Sequence, residues 1–292
     1  MSGVFVTGAT GSVGAAVVTH LLERGEPVIA GVRSPSDAAR LPAGAQVRPF
    51  EFGAPAPDLE EALAGADRLF LMRPPAIADV RALLFPLVDT ARRVGVHHVV
   101  FLSLQGVQFN RRTPHHAVEA YLRAGGTAWT FLRPNFFMQN LSTTYGGEIR
   151  DHDEIRVPAG RSFTAFIDAR DVGRVAAAVL TQPGHAGRAY TLSGEQSLTY
   201  AAVARTMSRV LGRTITYTRP SERDHLADLA RQGRPEDYLA VQRMIYRIVR
   251  LNASAMPNRQ VRRLTGRPAT TFAEFVTDHA GVWQTTKGLV GG

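Results

Sequence analysis

The chain has 292 residues, 45% of them hydrophobic and 20% charged, with no cysteine; this is a globular composition, and it excludes disulfide frameworks, thiol catalysis, iron–sulfur clusters and cysteine-type zinc sites. Of 34 Lys and Arg residues one is Lys, Lys287, so 33 are Arg, and with 25 acidic residues the formal charge is +9. No Gly-Lys-Ser/Thr phosphate loop exists, and the arginines are scattered, at most paired as in Arg92-Arg93, Arg111-Arg112 and Arg262-Arg263, without the aromatic-interleaved stripe expected of a nucleic-acid surface.

Short apolar runs alternate with helical-period stretches over the first ~135 residues, the pattern of βαβ units and a parallel sheet. Strands are predicted at Val4–Thr7, Pro27–Val32, Gln46–Phe52, Arg68–Met72, His98–Leu102 and Ala128–Leu132. Helices are predicted at Val13–Leu22, Leu59–Leu63, Ile77–Arg93 and Pro114–Arg123. The fold class expected is α/β, a doubly wound parallel Rossmann sheet of six strands, with a smaller C-terminal lobe. Residues 1–135 would form the dinucleotide-binding domain, completed by about 164–182, and residues 136–292 mainly a substrate-binding lobe. In that second part Asp171–Leu180, Tyr200–Leu211, Ser221–Ala230, Pro235–Arg250 and Thr271–Ala280 read as helices, with Tyr238, Val241, Ile245 and Ile248 on the buried face of the fourth. No run approaches a membrane span and no leader precedes the first strand, so a cytoplasmic protein without a membrane partner is expected.

The strongest local signal is Val6-Thr7-Gly8-Ala9-Thr10-Gly11-Ser12-Val13-Gly14, a glycine triplet at the end of an N-terminal strand and the start of a helix. The first glycine permits the tight turn, the second lets backbone approach a pyrophosphate and the third brings helix against sheet, while N–H groups at the helix start attract phosphate. At the end of the second strand an acidic residue would bind the ribose 2′-hydroxyl. The segment here is Val32-Arg33-Ser34, and a guanidinium there suits a 2′-phosphate, so NADPH (NADP+) is expected in preference to NADH. The alternative for Arg33 is an ordinary solvated arginine.

Taken together, the turn at 8–14, Val32-Arg33, Phe101-Leu102-Ser103, the segment Thr130-Phe131-Leu132-Arg133-Pro134-Asn135-Phe136-Phe137-Met138-Gln139-Asn140, Phe166-Ile167-Asp168-Ala169-Arg170-Asp171-Val172, and Leu264-Thr265-Gly266-Arg267-Pro268 with Thr271-Phe272 resemble the atypical short-chain dehydrogenase/reductases of the NmrA-like group. That group includes NAD(P)H-dependent quinone and ketone reductases and also non-catalytic redox sensors. The resemblance runs over nearly the whole chain. It implies cofactor contacts from Gly8, Thr10, Gly11, Ser12, Val13 and Gly14, from Arg33, from Phe52, Met72 and Arg73 at the ends of the third and fourth strands, from Ser103, and from the loop Pro134, Asn135 and Phe136 near the nicotinamide.

The departure from the wider superfamily is the missing Tyr-x-x-x-Lys pair, at whose spacing this chain has His115-His116-Ala117-Val118-Glu119. Because i and i+4 share a helix face, Glu119 could hold His115 protonated as a proton donor, or the two could form a structural pair. Ser103 remains of the usual set and could orient a carbonyl. Phe136, Phe137 and Met138 could line an apolar substrate pocket or pack in the core, and Tyr238 or Met244 could cover a planar substrate. Asp171 is expected to cap a helix rather than pair with Asp168 in catalysis. His97, His98 and His116 lack the spacing of metal ligands. These features lead to an NADPH-dependent reductase of a quinone or ketone, an aromatic natural product being one candidate. The alternative is an NADP(H)-binding redox sensor acting through a protein partner, and an epimerase is weakened by the lost acid/base residues.

Overall fold

The computed structural model describes residues 2–284, so Lys287 lies outside the described residues. Seven parallel strands form the central sheet, one more than expected: β1 (Gly3–Val6), β2 (Val28–Val32), β3 (Gln46–Pro49), β4 (Ala66–Met72), β5 (His98–Leu102), β6 (Ala128–Pro134) and β7 (Arg188–Leu192). Their order is β3-β2-β1-β4-β5-β6-β7. The seventh is short, sits at the edge and carries Arg188, Tyr190 and Thr191, so it has neither the apolar run nor the alternation that marks a buried strand.

The chain divides into two compact units. The first takes in residues 2–134, Ala169–Leu192 and Gln260–Arg267; the second takes in Asn135–Asp168, Ser193–Arg259 and residues 268–284. In the first unit, successive strand side chains point to opposite faces of the sheet. Phe5, Leu69, Leu71, Val99, Phe101 and Phe131 pack on one face with helices α2 (Ala56–Leu63), α3 (Phe85–Arg93) and α4 (Pro114–Ala124). Val4, Val6, Phe70, Val100 and Leu132 are fully buried on the other, where α1 (Ser12–Leu22) lies beside α5 (Ala169–Thr181). These two helices approach so closely that a Cβ on Gly173 would come within 2.5 Å of the Ala16 Cβ. The single helix expected over Ile77–Arg93 is broken at Leu84 into Val80–Leu83 and α3. Pro86 has no N–H for the carbonyl of Ala82, and Asp79 Oδ1 caps the short first piece by accepting from the N–H groups of Arg81 and Ala82 at 3.0 Å.

The second unit is built on helices α6 (Tyr200–Leu211), α7 (Glu222–Arg231), α8 (Glu236–Arg250) and α9 (Phe272–Asp278). Its core gathers Phe166, Tyr200, Tyr246, Phe272, Phe275 and Trp283, and the Trp283 indole donates to the Leu141 carbonyl at 3.0 Å. In α8 the buried residues are Leu239, Gln242, Tyr246 and Val249. The phase expected from the sequence is therefore wrong by one residue, with Val241 46% and Ile248 40% exposed. Apolar residues at the spacing of 3 and 4 occur in both phases of this helix, and Tyr246 decides between them by entering the core and meeting the Tyr145 hydroxyl at 2.5 Å.

Candidate active site

In the first unit the strand order reverses between β1 and β4, the place where open α/β sheets bind ligands. The backbone leaves β1 through Gly8 at φ +62°, a left-handed conformation that disfavours any side chain, and a Cβ there would strike the Met72 Sδ at 2.1 Å. Thr7 ties the two strand ends together: its hydroxyl donates to the Phe70 carbonyl at 3.1 Å and accepts from the Met72 N–H at 2.9 Å. A Cβ on Gly14 would overlap the Gly8 carbonyl oxygen at 2.0 Å, so this glycine closes α1 onto the turn.

Gly11 is different. Its φ of −84° suits any residue, and a Cβ there meets only the Gly8 oxygen at 3.3 Å. Gly11 is exposed at the N-cap of α1, where no side chain caps the helix and no acidic residue occupies the first turn. Ala15 is the first residue whose N–H reaches a carbonyl four residues back, Gly11 O at 2.8 Å. The N–H groups of Ser12, Val13 and Gly14 thus stand at the positive end of the helix dipole without helical acceptors.

Arg33, at the end of β2, is exposed and makes no hydrogen bond or ion pair with another described residue. Arg40 reaches the same turn, donating to the Thr10 carbonyl at 3.2 Å while pairing with Asp37 at 3.6 Å. Sequence reasoning missed Arg40, because it lies at the end of a 3-10 helix, Pro35–Arg40, that carries no signal of its own and six residues separate it from Arg33. Phe52 packs edge-on against Phe50 at 4.9 Å. Arg73 turns its guanidinium onto the following loop, donating to the carbonyls of Pro74 and Pro75 at 3.1 Å and of Ile77 at 2.5 Å, while its Nε is buried without a partner.

The residues standing where Tyr and Lys are absent are arranged otherwise than expected. Thr113 caps α4, accepting from the His116 N–H at 3.3 Å, and Pro114 opens the helix. Within the second turn of the helix Glu119 is buried, and its carboxylate accepts from Arg133 (Nε 2.9 Å, Nη2 2.6 Å), from the Ser103 hydroxyl at 2.7 Å and from Arg123 at 2.8 Å. Burial alone would push this carboxyl up, but the Arg133 and Ser103 hydrogen bonds, the charge of Arg133 and the Arg123 hydrogen bond together hold it below the usual range. Glu119 therefore serves Arg133 and Ser103, and no hydrogen bond joins it to His115. Burial first, and the Arg73 charge second, lower His115 to about 4 against the weaker pull of Glu119. Of the two alternatives for this pair, a proton donor held by Glu119 is disfavoured, because no hydrogen bond joins the two and burial beside Arg73 works against the protonated ring. Ser103 spends its hydroxyl proton on Glu119 and presents only lone pairs. Arg133 was the missed member, and its signal was an arginine inside an otherwise apolar strand, Thr130–Pro134.

In the second unit Asn135 is buried, donating from Nδ2 to the Ser254 carbonyl at 2.8 Å and accepting from the Phe136 N–H at 2.8 Å. Phe136 and Phe137 are half-buried, and Met138 is in the core. Pro134, the last residue of β6, accepts from the Gln105 N–H at 3.0 Å. Asp168 accepts from Gln139 Nε2 at 2.8 Å and directly precedes α5, so the cap position belongs to Asp168 and not, as expected, to Asp171, which lies in the first turn and pairs with Arg174. Tyr238 is half-buried beside Arg234, whose guanidinium lies 5.4 Å from its ring centroid. Among the described residues no group of three or more His, Asp or Glu side chains could hold a metal, and no helix is long and apolar enough to cross a membrane.

Residues 1–254 match the model of the NmrA-like family. Among curated proteins, an NAD(P)H azoreductase of Xenophilus azovorans is 34% identical over 96% of this chain and 99% of its own length. A (4-alkanoyl-5-oxo-2,5-dihydrofuran-3-yl)methyl phosphate reductase of Streptomyces griseus is also 34% identical, over 95% of this chain and 98% of its own. Among solved structures, an NADPH-dependent quinone oxidoreductase of Escherichia coli in complex with NADPH superposes with a TM-score of 0.84 at 26% identity, covering 94% of this chain and 99% of the other.

Proposed function

The chain belongs to the NmrA-like family, and from that premise we propose that it is an NADPH-dependent reductase of a quinone or a similarly conjugated acceptor. The observation that carries this reading is the open face of Gly11. Inside the protein a Cβ there meets only the Gly8 carbonyl oxygen, at a tight 3.3 Å, whereas a pyrophosphate approaching the uncapped start of α1 requires glycine. The residues fit a dinucleotide: N–H groups of Ser12, Val13 and Gly14 would hold the phosphates, and the unpaired Arg33, with Arg40 beside Thr10, would hold the adenosine 2′-phosphate in preference to NADH.

Bound NADPH supplies a hydride. The chain adds binding and orientation, and little acid catalysis, since His115 is neutral and the Ser103 proton is committed to Glu119. An acceptor whose negative charge spreads over a conjugated system after hydride addition takes its proton from water, so such a site suits quinones better than isolated ketones. The reductase names of the curated relatives support an enzyme over a redox sensor. Ser103, Glu119 and Arg133 act as positioning residues that lock the ends of β5 and β6 to α4. The test is loss of NADPH absorbance with a panel of quinones, azo dyes and aromatic ketones. Turnover of quinones above ketones is expected, and no oxidation with any acceptor overturns the reading.

A further inference from the structure

The second unit contains a cavity of about 510 Å³ bordered by α7, the first half of α8, Tyr145 and Arg156. This volume holds a two-ring organic molecule. Its walls are cationic and aromatic. Asp228 is shared by two arginines: Arg156 donates to Oδ2 from Nε at 2.8 Å and from Nη2 at 2.6 Å, and Arg231 pairs with Oδ1. One carboxylate therefore faces two guanidiniums. Arg234 adds a third, lying over the Tyr238 ring, and its guanidinium makes no hydrogen bond or ion pair with another described residue. Glu148 is the other acid on the wall, so three arginines against Asp228 and Glu148 leave a net +1.

A second, independent observation lies in His225. It lines the cavity and is 5% exposed; its ring lies against the Gln242 side chain and the Arg156 backbone, yet its Nε2 is buried without a well-formed hydrogen bond. Buried polar atoms in folded proteins are nearly always paired, so a ring left one bond short beside the cavity gains a partner if it turns toward an oxygen bound there. Burial lowers the basicity of this ring, so one tautomer presents Nε2–H as a neutral donor to an oxygen.

We propose that this cavity binds a planar aromatic anion, an aryl carboxylate or sulfonate. The ring system would stack on Tyr238 and the Arg234 plane, and the acid would accept from Arg231, Arg234 and His225. A cation is excluded by the arginines, and a purely apolar ligand would leave them and His225 unsatisfied. Two sources share this chemistry, an acid-bearing electron acceptor and a separate effector.

The test is calorimetric titration of 2-naphthoate, and of neutral 2-naphthylmethanol, into the full chain with and without NADPH. One site for 2-naphthoate is expected, with affinity falling about 10-fold or more in Arg234→Gln and in Arg231→Gln, and with the neutral compound binding at least about 10-fold more weakly than the acid. Arg234 loses only its contact with the Tyr238 ring and no hydrogen bond or ion pair with a described residue, so its variant folds, which an unchanged circular dichroism melt checks. Absence of 2-naphthoate binding, wild-type affinity in both variants, or equal binding of the neutral compound overturns the proposal. With a neutral quinone, competitive inhibition by 2-naphthoate that vanishes in Arg234→Gln assigns the cavity to the acceptor; binding without inhibition assigns it to an effector. The binding measurement needs no turnover, so its failure is separate from a failure of the proposed reductase activity.

Discussion

Arg133 and Glu119 form a buried two-point ion pair, Nε to Oε1 at 2.9 Å and Nη2 to Oε2 at 2.6 Å, with the Glu119 side chain 1% exposed. Removing one partner leaves the other charge desolvated, which costs about 3–5 kcal/mol. Glu119→Ala is therefore expected to lower unfolding free energy by that amount in urea denaturation. Glu119→Leu combined with Arg133→Met should recover part of the loss, because the pair's own desolvation is then removed as well. Single variants within about 0.5 kcal/mol of wild type would show that the pair carries no such energy.

His115, lowered to about 4, gives a pH prediction with a definite sign. Between pH 6.5, the ordinary value of histidine, and about 4, the unfolded chain takes up a proton that the folded chain refuses. This contribution to stability is fully present above pH 6.5 and is lost as pH falls toward 4; His98, also lowered to about 4 by burial first and nearby charge second, adds to it. His115→Gln should flatten the fall in melting temperature over that range. The same state of the imidazole predicts that His115→Phe keeps quinone turnover within about 3-fold of wild type, whereas loss of a true general acid costs about 10²–10⁴-fold. A wild-type rate that falls through a pKa near 6.5 and a dead His115→Phe would refute this.

Coenzyme choice should follow Arg33. Arg33→Ala is expected to weaken NADPH by about 1.5–3 kcal/mol, the worth of a charge-assisted hydrogen bond, with little change for NADH. Arg40→Ala should act in the same direction and less strongly, since Arg40 is partly engaged by Thr10 and Asp37. Fluorescence titration of both coenzymes decides the matter, and equal losses for the two would show that Arg33 does not read the phosphate.

The glycines of the turn should separate folding from binding. Gly8→Ala forces a side chain into a left-handed residue and against the Met72 sulfur, so it should destabilise the fold by more than about 1 kcal/mol. Gly11→Val has an ordinary φ and only the 3.3 Å approach to the Gly8 oxygen to relieve, so it should melt closer to wild type than Gly8→Ala while losing coenzyme affinity by more than about 100-fold. A Gly11→Val protein that binds NADPH normally would remove the basis of the dinucleotide site.

By itself the sequence determined the parallel α/β architecture, through apolar strands of period two alternating with helices of period near 3.6. It also determined the glycine turn and Arg33, which are local features carried by consecutive residues. The seventh strand escaped because an edge strand need bury only part of its surface and so writes no strong pattern. The buried phase of α8 escaped because two apolar phases one residue apart are equally periodic, and only the tertiary contact of Tyr246 with Tyr145 selects one. The partner of Glu119 was likewise decided in three dimensions. Helical spacing offered His115 four residues away, but the adjacent strands placed Ser103 and Arg133 nearer, and a guanidinium with two aligned donors outcompetes a neutral imidazole for a buried carboxylate. The cavity around His225 was illegible for the same reason, since its arginines, tyrosines and histidine come from separate elements whose convergence no local spacing encodes.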